Sequence, residues 1–393
     1  MANDVFTLNA GSSSLKFSLW EAETGTELRE LFRGEIEKIG IAPHLSAREP
    51  AGRTLIDKRF EEGGTNLSHE NLLRELFAWV SQQRRNGFKA IGHRIVHGGA
   101  TFTAPVRIDH QVMESLSKLE SLAPLHQPHS LSGIRICAAL QPRVPQVACF
   151  DTAFHRTMDS VTRRLGLPRA YEEEGVQRYG FHGLSYEYIA QRLRTIDPDL
   201  AKGRVIVAHL GNGASLCAMH DGRSVDTTMS FTALDGLLMG TRPGTLDPGA
   251  VTYLMRECTM SAAEIEDLLY HRSGLLGISG ISSDMRTLLA NNNPHAREAV
   301  DLFVFRAARE IGALAASLGG LDGLVFTAGI GEHASEIRSR ICARCSWLGV
   351  VPDESANRAG RMRITTEASR TLVYVIPTDE EKMIARHTVS HIC

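Results

Sequence analysis

The sequence predicts an α/β protein in which one architecture, a mixed sheet flanked by helices, is present twice. Three observations point there. Gly11 and Gly211 lie 200 positions apart, and each interrupts the same pattern of apolar strand, tight turn and second apolar-alternating strand. The first copy runs from Val5 to Trp20 around Gly11-Ser12-Ser13-Ser14, the second from Val205 to Met219 around Gly211-Asn212-Gly213. After each hairpin comes a third strand candidate, then strands alternating with helical segments. At 393 residues the chain exceeds one ordinary core, so two domains are expected. Turns of Gly, Ser and Asn leave backbone N–H groups free to point at an anion, usually phosphate. Two such turns half a chain apart suggest two related domains holding one nucleotide phosphate chain between them.

In the first half, Glu27 to Glu35 reads as the third strand and Pro43 to Gly64 as an irregular or strand-and-turn excursion. Leu72, Leu73, Leu76, Phe77 and Val80 have helical spacing and predict a helix over Asn71 to Arg84. A strand follows over Ala90 to Val96, ended by Gly98-Gly99. Gln111 to Leu122 and Ser130 to Leu140 read as helices, and Val144 to Phe150 as a buried strand ending at Asp151. In the second half the hairpin covers Arg204 to His220, and an Asp221-Gly222 turn opens a strand over Arg223 to Met229. Ala250 to Met255, Ala262 to Tyr270 and the amphipathic His295 to Leu318 read as helices. Gly323 to Thr327 is a strand ending in the turn Ala328-Gly329-Ile330-Gly331. Glu336 to Trp347 reads as a helix, Thr371 to Ile376 as the last strand and Glu381 to Val389 as the last helix.

A hydrophobic content of 43% and a charged content of 22% are those of a globular protein, and a net charge of −2 argues against a general nucleic-acid or anionic-membrane surface. No apolar run approaches the ~18 residues needed to span a bilayer. Val5 to Leu8 reads as a strand rather than a secretory segment. A cytoplasmic protein with no nucleic-acid and no membrane partner is therefore expected. Seven cysteines without framework spacing fit a reducing compartment. Cys342-Ala-Arg-Cys345 has no second pair to complete a zinc site, so both read as buried or incidental thiols.

Eight motifs carry a resemblance over essentially the whole chain. They are Asn9-Ala-Gly-Ser-Ser-Ser-Leu-Lys16, Gly92-His-Arg-Ile-Val-His-Gly-Gly99, Phe150-Asp-Thr-Ala-Phe-His155 and Arg178-Tyr-Gly-Phe-His-Gly183. His209-Leu-Gly-Asn-Gly213, Met239-Gly-Thr-Arg242, Phe326-Thr-Ala-Gly-Ile-Gly-Glu332 and Thr378-Asp-Glu-Glu381 complete the set. In content and order they resemble the acetate kinase family, within the actin, Hsp70 and sugar-kinase superfamily of duplicated ribonuclease-H-like domains. The resemblance implies mixed five-stranded sheets and an interdomain active-site cleft. It divides the chain into residues 1–151 plus 383–393, closed by the C-terminal helix, and a nucleotide-binding domain over residues 152–382. It also implies a homodimer, Mg2+ (or Mn2+) as cofactor and ATP/ADP with acetate or acetyl phosphate as substrates.

The family's reaction is reversible transfer of the ATP γ-phosphoryl group to a short carboxylate. That acceptor is already ionised at pH 7 and needs no general base. It needs relief of repulsion between two anions, so positioning and positive charge should dominate. By resemblance Arg94 binds the carboxylate, for which a guanidinium fork is suited. Arg242 and His182 stabilise the transferring group. Asp151 is the family's acid or base, and here its expected role is to orient an Arg or the hydrated metal. Asn9 and Glu380 match the magnesium-site residues, with Glu380 taken over Glu381. Magnesium keeps several waters, so few protein ligands suffice. Lys16, His209, Leu210, Gly211, Asn212, Gly213, Asp284, Met285, Arg286, Gly329, Ile330, Gly331, Glu332 and His333 match the nucleotide-contact motifs. His93 and His97 flank a strand at i, i+4 spacing, which does not aim them at one metal.

The acyl pocket by resemblance is Val96, Leu125, Phe181 and Ala233. Ala233, in Phe231-Thr-Ala-Leu-Asp-Gly236, stands where the family usually has Pro, which predicts some tolerance for propionate. Gln127 stands where Asn is usual, Tyr186 where His is usual and Asp379 where Asn is usual. A hydroxyl kinase of the same superfamily, or an ATP-driven binding or filament module, would keep the hairpins. Neither needs Arg94, His182 and Arg242 together, and that decides for the carboxylate kinase.

Overall fold

The structure, a computed structural model, describes residues 4–11, 14–22, 27–60, 68–83, 87–123 and 127–392. The chain packs as two compact units, Met1–Ala153 with Asp379–Cys393, and Phe154–Thr378.

The first unit opens with β1 (Asp4–Ala10), β2 (Leu15–Ala22), β3 (Leu28–Glu37), β4 (His44–Arg48) and β5 (Thr54–Arg59), each antiparallel to the one before. Helix α1 (His69–Gln83) leads to β6 (Ala90–Ile95), parallel to β1. Then come β7 (Val106–Arg107), α2 (His110–Ser117), α3 (Gln127–Leu140) and β8 (Gln146–Phe150), which lies parallel to β6. The sheet order is β5-β4-β3-β2-β1-β6-β8-β7.

The second unit holds α4 (Ser160–Arg163), α5 (Arg169–Glu173) and α6 (Gly183–Ile196), then β9 (Arg204–Leu210), β10 (Ala214–His220) and β11 (Arg223–Thr227). Helices α7 (Pro248–Arg256), α8 (Ala262–His271), α9 (Gly274–Ser279), α10 (Met285–Leu289) and α11 (Pro294–Leu318) precede β12 (Gly323–Thr327). The chain continues through α12 (Ala328–His333), α13 (Ser335–Arg344), α14 (Glu354–Arg358) and β13 (Leu372–Val375). Its last helix, α15 (Glu380–Ser390), belongs to the first unit. The second sheet runs β11-β10-β9-β12-β13, with β9, β12 and β13 parallel.

The order β3-β2-β1-β6-β8 repeats the order β11-β10-β9-β12-β13, strand for strand and direction for direction. This is the duplicated ribonuclease-H-like arrangement. One expectation needs correction: the first sheet has eight strands, not five. Five of them match the second sheet, while β4 and β5 lengthen its antiparallel edge and β7 pairs with β8 at the other. The excursion expected over Pro43 to Gly64 contains this edge hairpin, and its residues 61–64 lie outside the described residues. Its strand β5 carries Asp57, Lys58 and Arg59, charges that keep a sheet edge from pairing further. A second correction concerns Ala328 to Gly331, which continue as the short helix α12 rather than a turn. Asp221 and Gly222 have φ of 50° and 67°, both positive as a two-residue type I′ hairpin requires.

One face of the first sheet buries Phe6, Leu8, Phe17 and Leu19 against Leu72, Leu76, Phe77 and Trp79 of α1. On the other face lies α15, which buries Met383, Ile384, Ala385 and Thr388. Gly92 in β6 makes this approach possible, since a Cβ there would overlap Thr388 Oγ1 and Ile384 Cγ2. Gly92→Ala is expected to destabilise the protein by about 1–3 kcal/mol, because overpacking at a helix–strand contact forces one of them to shift. Denaturant unfolding measures this, and an unchanged midpoint would contradict the close packing. Among the described residues no helix is long and apolar enough to cross a membrane.

Candidate active site

In the first unit the chemistry gathers where the parallel strands β1, β6 and β8 end. Asn9 lies near the end of β1, Arg94 near the end of β6, and Asp151 directly follows β8. Such carboxyl ends are where α/β sheets place ligands. Arg94 grips Asp151 with two nitrogens: Nη2 donates to Oδ2 at 2.5 Å, and Nε donates to both carboxylate oxygens at 3.1 Å. Its Nη1 donates to Asn9 Oδ1 at 3.2 Å. Asp151 is 1% exposed, so its charge is countered by this fork rather than by water. The next residue, Thr152, accepts from Gly98 N at 3.0 Å, which ties the Gly98-Gly99 loop to the same strand end. Gln127 brackets His97: its Nε2 donates to the His97 carbonyl at 3.1 Å, and its Oε1 accepts from the His97 N–H at 3.3 Å.

Helix α15 brings Glu380 and Glu381 to this cluster, its N-terminus capped by Asp379, which accepts from Lys382 N at 3.1 Å. Burial pushes the Glu380 carboxyl up to about 7; the Arg94 guanidinium pulls it down, and Asp151 and Glu381 push it up again. The cluster thus carries more negative charge than one guanidinium satisfies. Among the described residues no three His, Cys, Asp or Glu side chains converge on a metal by themselves. An amide oxygen and a carboxylate still suit Mg2+, which prefers hard oxygen ligands and keeps several waters. Lys16 is exposed and, with Glu381, lines a cavity of about 320 Å³ in the first unit.

In the second unit His182 sits before α6 with φ of 59°, a left-handed backbone that non-glycine residues rarely adopt and that costs of order 1–3 kcal/mol. Its ring stacks on His209 with centroids 4.1 Å apart, and its Nδ1 lies 2.8 Å from Ser215 Oγ. His209 Nδ1 lies 2.8 Å from Ser185 Oγ, which in turn lies 2.9 Å from Thr378 Oγ1. Arg242 Nη1 donates to the Ala233 carbonyl at 3.1 Å, and its guanidinium lies 5.9 Å from the Tyr270 ring centre. Ala233 thereby holds Arg242 through its backbone, whatever its side chain does.

A pocket of about 660 Å³ in the second unit is lined by Gly211, Asn212, Ser283, Asp284, Met285, Arg286, Leu289, Gly329, Ile330, His333 and Ala334. Eight of these were expected from the motifs. Ser283, Leu289 and Ala334 were not, being ordinary residues next to them. The remaining nucleotide candidates do not line this pocket. Leu210 is fully buried, and Gly331 packs against Ala208 O and the Phe326 backbone. Glu332 spends its carboxylate on the backbone, accepting from Ala328 N at 2.8 Å and Thr378 N at 3.2 Å. His209 and Gly213 flank the hairpin turn, where Gly211 N donates to Gly213 O at 3.1 Å. Asp284 caps α10 and pairs with Arg286, which lowers its pKa to about 2.

A Cβ on Gly329 would meet nothing within 4 Å, so a side chain there projects into open pocket space. Gly329→Leu is expected to leave stability within about 0.5 kcal/mol of wild type, since it fills pocket volume without touching the fold. Denaturant unfolding measures this.

Val96 is buried in the first unit, while Phe181 is buried and Ala233 half-buried in the second. Leu125 lies outside the described residues. His93 Nε2 donates to Gln146 Oε1 at 2.6 Å, His97 Nδ1 accepts from Gly99 N at 2.9 Å, and burial lowers both pKa values to about 4. Cys342 and Cys345 are buried, and burial pushes both thiols up, that of Cys345 to about 12.

Known proteins resemble this chain over nearly its whole length. The model of the acetokinase family matches residues 4–386. An acetate kinase of Rhodopseudomonas palustris is 54% identical over 392 residues, covering 98% of both chains. One of Rhizobium meliloti is 49% identical over 395 residues, covering 99% of this chain and 98% of its own. The crystal structure of a propionate kinase from Francisella tularensis superposes with a TM-score of 0.91 at 37% identity, covering both chains completely. That of an acetate kinase from Porphyromonas gingivalis superposes with a TM-score of 0.86 at 38% identity, covering 99% of each. The chain belongs to the acetokinase family.

Proposed function

We propose that the protein is an acetate kinase, transferring the ATP γ-phosphoryl group reversibly to acetate to give acetyl phosphate and ADP by direct in-line transfer. The observation that carries this is the Arg94–Asp151 fork. A guanidinium fixed edge-on by a buried carboxylate presents its outer N–H groups to a second, incoming carboxylate. A hydroxyl acceptor would have no use for it. Asp151 orients Arg94 rather than removing a proton, because the acceptor is already an anion. Val96, Leu125, Phe181 and Ala233 take the methyl group.

The pocket along Asp284-Met285-Arg286 and Gly329-Ile330 takes the nucleotide, with apolar Met285, Leu289 and Ile330 against the base. The Gly211–Gly213 turn takes its phosphates. Arg242 and His182 meet the charge that builds on the transferring group, and fixed charges of this kind are worth most in a water-excluded site. Asn9 and Glu380 would hold Mg2+ (Mn2+ also suits them), and the surplus negative charge around Glu380 fits a cation there. When bound, the ion supplies positive charge to the phosphate oxygens. An ATP-dependent reaction fits a cytoplasmic location. A homodimer follows from the family resemblance, and sedimentation of the purified protein tests it.

Hydroxylamine trapping of the acyl phosphate formed from ATP, Mg2+ and acetate, propionate, butyrate or glycerol tests the reading. Hydroxamate from acetate is expected, with propionate accepted at a kcat/KM within about 10–200-fold, the discrimination one methylene allows. ATP consumption without hydroxamate from any carboxylate would overturn it.

A further inference from the structure

The buried hydroxyls behind His182 form a chain that the reaction itself does not require. Ser215 Oγ lies 2.8 Å from His182 Nδ1 and 2.5 Å from the Tyr186 hydroxyl. Tyr186 and Ser215 are both fully buried. Among the described residues the Tyr186 hydroxyl has no hydrogen-bond partner besides Ser215.

Three arrangements of the protons are conceivable. If His182 Nδ1 carried a proton and donated to Ser215, Ser215 would donate to Tyr186, and the Tyr186 O–H would be left buried without an acceptor. If His182 Nδ1–H and the Tyr186 O–H both donated to Ser215, the Ser215 O–H would be the one left over. If Tyr186 donates to Ser215 and Ser215 donates to Nδ1, every buried proton is used. Buried polar groups are almost always paired, so this last arrangement holds. Burial also pushes the Tyr186 hydroxyl well above its ordinary pKa, which keeps it a donor. With Nδ1 accepting, the ring proton must sit on Nε2. That atom lies 3.5 Å from where a Cβ on Gly213 would be, so it faces the Gly211–Gly213 turn.

We propose that Tyr186 and Ser215 are positioning residues which fix His182 as the Nε2–H tautomer and aim that proton at the transferring phosphoryl group. The proposal rests on the acetate-kinase reading and deepens it. His182 then acts as a neutral hydrogen-bond donor of set direction. The stacked His209 limits rotation of its ring, while Ser215 sets its tautomer.

The test combines kinetics with histidine 15N NMR on the full-length protein. The His182 signals are identified as those lost in His182→Asn, a substitution that tolerates the left-handed backbone. Wild type is expected to show an unprotonated, hydrogen-bonded Nδ1. Tyr186→Phe is expected to lower kcat several-fold and Ser215→Ala about tenfold, with KM for ATP and acetate within twofold, as loss of orientation predicts. The double variant should be no slower than Ser215→Ala, because both lie on one chain. Thermal unfolding of the same variants reads any structural cost separately. A protonated Nδ1 in wild type would overturn the proposal, as would unchanged kcat in both single variants or effects on kcat that multiply. The NMR result does not depend on turnover, and hydroxamate formation by wild type tests the parent reading on its own.

Discussion

Arg94→Ala is expected to abolish measurable acetyl phosphate formation, lowering kcat by about 10³-fold or more and raising the acetate KM. The loss has two sources. In the proposed reading the substrate carboxylate loses its partner, and removing one preorganised donor from a charged transition state typically costs about 10²–10³. Asp151, 1% exposed, also loses its counter-charge beside Glu380 and Glu381. Breaking a buried ion pair from one side costs about 3–5 kcal/mol, so the variant should unfold markedly earlier. A second variant separates the two. Arg94→Ala with Asp151→Ala removes both charges and should recover most of the lost stability while remaining inactive. If the double variant recovered activity, Arg94 would be structural only. If Arg94→Ala alone kept wild-type stability, the fork would not hold Asp151 as described.

Arg242→Lys is expected to lower kcat by about 10²–10³-fold with little change in either KM and little change in stability. Arg242 is held by a backbone carbonyl and an aromatic ring together, in directions set by its planar guanidinium that a lysine ammonium does not reproduce. The charge survives the substitution but its direction does not. Comparing Arg242→Lys with Arg242→Ala measures how much of the effect is direction. Equal losses assign it to the planar fork, whereas near-wild-type turnover in Arg242→Lys would show that charge alone is enough.

The parts of the fold that could be read from the sequence were those written locally. The two hairpins, the helices with 3.6-residue apolar spacing and the buried strands β8 and β12 all appear where their patterns place them. Strand β5 was not legible as one, because only Leu55 and Ile56 are apolar and its charges belong to a sheet edge. Helix α6 was missed for another reason. It starts at Gly183 behind His182 in a left-handed conformation and has no side-chain cap, so none of the usual start signals is present. Helix α12 looks like a glycine turn, and it is Glu332, four residues on, that caps its first N–H.

At the site, residues with unusual chemistry in motifs, such as Arg94, Asp151 and Glu380, could be named in advance. Ser215 and Ser185 could not, and Tyr186 stood out only as a departure from the usual His, with no role attached to it. A serine or tyrosine signals nothing until a strand and a helix bring it beside a histidine.

The chain leaves the first unit at Ala153 and returns only at Asp379, and this sets the order in which a nascent chain can become an enzyme. Synthesis delivers the first sheet early, yet the face that carries Gly92 and Cys149 waits for Ile384 and Thr388, the former 235 residues after Cys149. The same late segment brings Glu380 to Arg94. A ribosome that stops short of α15 therefore releases a polypeptide with an uncovered apolar sheet face and no Glu380 beside Arg94. Catalytic competence and concealment from the cell's quality-control machinery arrive together, with α15.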